Sequence, residues 1–254
     1  MRWQPLESSW AKFHRAGTHL DALEHEFRRA IGEPHETFAV EREIKDRHVV
    51  IRITHIPQFR DAGMLLGDAV GNYRAALDHL VWDLVQLGSK PKLGREEATK
   101  VQFPMARSFA SFAAQRQQRA PGVGDEQWAI IREYQPYKRG HRGHAMLWLR
   151  RLSDTDKHRY VVPAATALAG FTGKVRLYRC QIVRERRFTP GRALYVGCPL
   201  WEFDVVPTGE HFDVQVESEI TIQPSLGYGI ALMPTLILIR AAVLDVLARF
   251  EERL

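Results

Sequence analysis

The sequence predicts an α+β protein: a helical bundle core around a central glycine-striped helix, with an antiparallel β-sheet on one side. Three observations carry this prediction. Along residues 63–84, Leu66, Ala69, Val70, Tyr73, Leu77, Leu80, Val81 and Leu84 fall on one broad face at helical spacing. Residues 48–56 (HVVIRITHI) and stretches within 174–222 such as KVRLYRCQIV alternate instead, as strands do. Finally, 254 residues that are 45% hydrophobic can bury a sizeable core, and no linker, repeat or low-complexity tract divides them. Residues 1–254 are therefore expected to form a single domain.

Each element has a local reason. A serine cap opens a helix over 8–31, with Trp10, Phe13, Leu20, Leu23 and Phe27 at helical spacing and Gly32 and Pro34 to stop it. ETFAVEREI and HVVIRITHI flank Lys45, Asp46 and Arg47, which makes 36–56 a hairpin with His55 in the inward phase of its second strand. Pro57 ends that strand, and Asp61 can cap the central helix over 61–86. Short helices are expected at 107–118 and 125–134, separated by the loop APGVG. A second site helix over 144–162 carries Met146, Leu149 and Leu152 on one face and closes at Pro163. Strands follow over 174–222, then a C-terminal helix over 233–253.

Composition narrows the function classes. Two cysteines are too few for a disulfide framework, and no apolar segment follows a charged start, so a cytoplasmic protein is expected. The most apolar stretch, 229–250, contains Pro234, Arg240 and Asp245, which argues for a buried helix and against a membrane span. A net charge of +6 and 28 arginines against 8 lysines favour attraction to phosphate, since guanidinium is the better bidentate fork.

Chemistry concentrates on the central helix. Gly63, Gly67, Gly71 and Ala75 recur every four residues, although a mid-helix glycine costs about 1 kcal/mol against alanine. Such a stripe predicts close approach of another element and a helix covered on both sides. Asp68, Asn72, Arg74, Asp78 and His79 on the same helix then need partners. Arg74 and Asp78 have the spacing of a helix ion pair. Asn72, His79 and Asp83 lie within about 60° of Asp68 on the helical wheel, so Asp83, one turn after His79, is placed to orient the imidazole.

Arg74, four residues and then His79 resembles the Arg-x4-His motif of the HEPN superfamily of ribonucleases. The resemblance is confined to this helix. It implies an endoribonuclease that needs no metal or other cofactor and works at a homodimer interface. Arg74 would then face the scissile phosphate, and His79 would transfer a proton involving the ribose 2′-hydroxyl. Asn72 and Asp83 are candidates for supporting roles. The basic loop QPYKRGHRGH supplies Lys138, Arg139 and Arg142, and SDTDKHR supplies Lys157 and Arg159, as candidates to gather RNA. Tyr137 and Trp148 could stack a base.

Two other functions fit the same residues. His79, Asp83, Asp156 and His158 contain enough oxygen and nitrogen donors for a divalent metal, which would make a metal-dependent enzyme on the two site helices. A non-catalytic binding or assembly protein would use the glycine stripe as an interface. Walker, dinucleotide and Gly-x-Ser-x-Gly fingerprints do not occur, and Cys180 and Cys198 lack a nucleophile's context.

Overall fold

Every apolar residue of the stripe predicted for the central helix is buried in α2 (Ala62–Leu87), which the computed structural model builds as one continuous helix. Burial of each such leucine or valine side chain is worth roughly 1.5–3 kcal/mol, so this face anchors the helical part of the molecule. The structure describes residues 4–32, 39–45, 47–56, 61–88, 93–158, 165–188, 194–226 and 230–254. Within these, the side chains of 30–32, 39–40, 155–158, 165–173 and 216–225 lie outside the description.

The chain, expected as a single domain, divides into two compact units. One comprises Met1–Leu23, Gly63–Val162 and Pro234–Leu254, and the other Glu24–Ala62 and Pro163–Met233. Helix α1 (Glu7–Gly32) contributes to both. The helical unit adds to α2 the short α3 (Arg95–Ala98), α4 (Phe109–Arg119), α5 (Asp125–Glu133), α6 (His141–His158) and most of α7 (Leu232–Glu251). Ser108 caps α4 by accepting from the Ser111 amide, and Phe112 stacks on Trp128 of α5 with ring centroids 4.1 Å apart. Tyr134, just past α5, donates to Asp245 of α7 at 2.8 Å. None of the described helices is long and apolar enough to cross a membrane.

The other unit carries the antiparallel strands, which makes the fold α+β. The hairpin of β1 (Ala39–Lys45) and β2 (His48–His55) extends into a four-stranded sheet of order β1-β2-β5-β4, with β4 spanning Cys180–Arg187 and β5 Pro199–Pro207. A long ribbon pairs β3 (Ala165–Tyr178) with β6 (Asp213–Ser225). Val49, Ile51, Trp201, Phe203 and Val205 from the sheet pack with Val214 of the ribbon, and the Arg42 guanidinium donates to the Val214 carbonyl. In β5 the alternation of the sequence buries Trp201, Phe203 and Val205 on one face, as expected for a half-buried sheet. Strand β3 begins before the predicted 174, because its first half, ATALAGFTG, is too rich in alanine and glycine to alternate.

Two glycines behave differently from the sequence expectation. Residues 140–143 look like loop, yet α6 starts at His141. A side chain at Gly143 would place its Cβ 2.0 Å from the Lys138 carbonyl oxygen, so only glycine lets this helix start against the preceding loop. At Gly71, by contrast, an added Cβ meets nothing within 4 Å. The stripe is therefore not a continuous groove for a close neighbour, which corrects the expectation of a helix covered on both sides at this position. Gly71→Ala should accordingly stabilise the protein by about 0.5–1 kcal/mol through helix propensity alone. A urea midpoint that falls, with unchanged slope, would show that something does approach the Gly71 backbone.

Candidate functional site

Between α3 and α4 the chain runs through Gln102–Ala106, where Phe103, Pro104, Met105 and Ala106 are buried although they belong to no helix or strand. Buried peptide groups need partners, and here most come from side chains. Arg74 donates through Nη2 to the Phe103 carbonyl at 2.7 Å and to Gln102 Oε1 at 3.3 Å. Asp78, one turn later on α2, accepts the Phe103 amide at 2.9 Å and pairs with Arg74 at 2.9 Å. Gln135, fully buried, accepts the Ala106 amide at 2.9 Å and donates to the Pro104 carbonyl at 2.9 Å. Arg150 of α6 donates to the Met105 carbonyl at 2.8 Å, and its Nε lies 3.4 Å from Asp154, again one turn later. Two Arg-x3-Asp pairs, on different helices, thus hold one stretch of backbone.

These contacts fix the arginines beside an open cavity of about 360 Å³. Its lining includes Arg74, Arg107, Arg119, Arg150 and Asp154. Arg107 and Arg119 make no side-chain hydrogen bond or ion pair among the described residues. Burial pushes the Arg119 guanidinium below its usual pKa, and the nearby charge of Arg74 pushes it further, against an opposing pull from Asp78. On α4, Ser111, Gln115 and Arg119 follow one another at four-residue spacing and all line the cavity, so one helix edge delivers three polar groups to it. Arithmetic on charge leaves an excess of two positives: four guanidiniums face Asp154 in the lining and Asp78 behind Arg74. The cavity can therefore attract and hold an anion.

The other predicted site residues are dispersed. His79 is half-buried and takes part in none of the described hydrogen bonds. It follows Arg74 by five residues, which turns it about 140° around the helix from Arg74. Asn72 donates to the Asp68 carbonyl at 2.8 Å, a bond within its own helix, and Asp68 itself faces His19 at 3.8 Å. Asp83, expected to orient His79, instead directs Oδ2 at the Leu6 amide, 2.8 Å away, and is buried there. That bond restrains the entry to α1, where Leu6 has a positive φ of 68°.

In the basic loop, Lys138 and Arg139 are exposed, and the Lys138 ammonium lies 5.8 Å from the Tyr137 ring centroid. Arg142 is committed to structure: it pairs with Asp245 at 2.8 Å, approaches Glu133 at 3.4 Å and covers the Tyr134 ring at 5.0 Å. Tyr134 keeps its proton well above the ordinary phenol range, first because it is buried and then because it donates to Asp245. Trp148 donates to His144 at 3.0 Å. Asp156, Lys157 and His158 lie in α6 with side chains outside the description, and Arg159 lies outside the described residues. Among the described residues no three His, Cys, Asp or Glu side chains gather as metal ligands would. Cys180 and Cys198 are free thiols, and burial raises the pKa of Cys180, away from nucleophile behaviour.

Comparison with known proteins adds no relative: no family model, curated protein or solved structure matches the chain. Sequence reading found Arg74 but missed Arg107, Arg119 and Arg150. The one legible signal was the repeat of Arg-x3-Asp at 74–78 and 150–154.

The clamp and the free arginines should respond differently to mutation. Arg74→Ala removes a buried charge-assisted bond to the Phe103 carbonyl and leaves Asp78 without its cation, so a loss of about 3 kcal/mol is expected in urea unfolding. Arg119→Gln removes a cation with no partner and should leave the midpoint unchanged or slightly higher. Equal losses in the two variants would contradict this division of roles.

Proposed function

We propose that this protein is a HEPN-like endoribonuclease that cleaves RNA without metal, with Arg74 on the phosphate and His79 as the proton-transfer group. The observation that supports this reading is the setting of Arg74. Its Nε and Nη2 are committed to Asp78, Gln102 and Phe103, which fix the guanidinium plane, while Nη1 donates to none of the described groups at the edge of a cationic cavity. A guanidinium held in this way needs no reorganisation to stabilise charge that grows on a phosphorane oxygen. In the step itself, the ribose 2′-oxygen loses its proton and attacks the adjacent phosphorus as the bond to the 5′-oxygen breaks. The products are a 2′,3′-cyclic phosphate and a 5′-hydroxyl. Imidazole is a side chain suited to take up or return the proton.

Arg74 and His79 lie on different sides of α2, so this reading asks two copies of the chain to build each site, in keeping with the homodimer that the resemblance implies. Exposed Lys138 and Arg139 would collect the strand. Asn72 and Asp83 then act by keeping α2 and its neighbours in place. A metal-dependent enzyme on His79, Asp83, Asp156 and His158 has less support, because Asp83 is already hydrogen-bonded to Leu6.

Labelled single-stranded RNA incubated with EDTA should be cut by the wild type and spared by His79→Asn. Co-expressed Arg74→Lys and His79→Asn chains, each inactive alone, should regain roughly a quarter of wild-type cleavage, since half of randomly formed dimers are mixed and each carries one complete site. Cleavage that requires added metal, or that persists in His79→Asn, would sink this reading.

A further inference from the structure

The arginine pocket contains more positive charge than one internal phosphodiester can match. Arg74 is already hydrogen-bonded to three acceptors, and Arg150 to Met105 and Asp154. Arg107 and Arg119 remain without a partner among the described residues. On α4, Gln115 donates to Ser111 Oγ at 3.0 Å, which leaves the Ser111 hydroxyl proton free to donate onward into the same cavity. Arg119 is partly buried beside the like charge of Arg74, and an anion held there relieves both the repulsion and the desolvation, with exposed Arg107 at the cavity's edge to share it. The excess of two positive charges matches a phosphate monoester, which carries close to two negative charges near neutral pH, whereas a phosphodiester carries one. The cavity, about 360 Å³, is at the small end of small-molecule sites, roughly 300–1,000 Å³.

We propose that this pocket binds a dianionic phosphate monoester, held by Arg107, by Ser111 and Arg119 along one edge of α4, and by the fixed edges of Arg74 and Arg150. The site goes beyond the ribonuclease reading and stands without it, because binding here requires neither His79 nor a second copy of the chain. The dianion can come from a free phosphorylated molecule or from the phosphorylated end of an RNA strand. The chemistry recognised is the same.

Calorimetric titration of the full chain separates these sources. The probes are phenyl phosphate, a free phosphate monoester, and one 2′-O-methyl oligoribonucleotide made with either a 5′-phosphate or a 5′-hydroxyl. The 2′-O-methyl groups block cleavage, so the result is independent of catalysis. Phenyl phosphate should bind, and Arg107→Gln combined with Arg119→Gln should weaken it at least tenfold while the urea midpoint holds. A 5′-phosphorylated strand that binds at least tenfold tighter than its 5′-hydroxyl twin, with the advantage lost in the double variant, identifies the RNA end as a source. Absence of binding by both phenyl phosphate and the 5′-phosphorylated strand, or binding unchanged in the double variant, overturns the site. Pocket-dependent binding of the 5′-hydroxyl strand as tight as that of its 5′-phosphorylated twin, with none of phenyl phosphate, also overturns it, in favour of internal phosphodiesters.

Discussion

A length of chain buried outside any helix or sheet has no repeating ladder to answer its peptide groups. Gln102–Ala106 is such a length, and the helical unit depends on how it is held. Asp78 and Gln135 accept the Phe103 and Ala106 amides, and Arg74, Gln135 and Arg150 donate to the carbonyls of Phe103, Pro104 and Met105, so side chains from α2, α6 and the end of α5 answer five of its peptide groups. The Arg119 carbonyl accepts the Gln102 amide. Removing one such group strands both a buried peptide and a buried side chain, which is far costlier than losing a surface ion pair. Phe103 and its neighbours fill the space between the helices only because these bonds hold them there.

The same constraint explains the pocket. Guanidinium groups recruited to carbonyls are planar and rigidly placed, and what remains of their donor edges faces outward together. Arg74 and Arg150 approach the segment from two helices, each braced by an aspartate one turn on, and α4 adds Arg119 along the line of Ser111 and Gln115. A structural clamp and an anion site are in this sense one arrangement. Arg74 serves the clamp directly, whereas the guanidinium groups of Arg107 and Arg119 make no hydrogen bond or ion pair among the described residues, and Arg119 meets the segment only through its carbonyl, which accepts the Gln102 amide.

How much of this was legible in the sequence follows from the range of the interactions involved. Helix periodicity gave α1, α2, α4, α5 and α7 to within a few residues, because the pattern of burial along one element is local information. The β1–β2 hairpin was legible for the same reason, through Val49, Ile51 and Ile53. The start of α6 was not, since Gly140 and Gly143 signal loop to a reader who cannot see the Lys138 carbonyl. Arg74 was found by its spacing to His79, yet its observed partners at 102 and 103 come from far along the chain. Arg150 repeats its Arg-x3-Asp spacing but meets it only through the buried segment, and Arg107 and Arg119 share no local pattern with it. Asp83 illustrates the opposite error: its helical phase beside His79 is real, but the nearer demand was the Leu6 amide.

Amide hydrogen exchange followed by NMR tests the clamp most directly, residue by residue. Phe103 and Ala106 lie in no regular secondary structure, so their protection reports on Asp78 and Gln135 alone. Both amides should exchange only through global unfolding, as slowly as Leu77 and Leu80 in the buried face of α2. Exchange of Phe103 and Ala106 at the rate of an exposed loop, with α2 still protected, would contradict the account, because the segment would then open without the helices that are said to hold it.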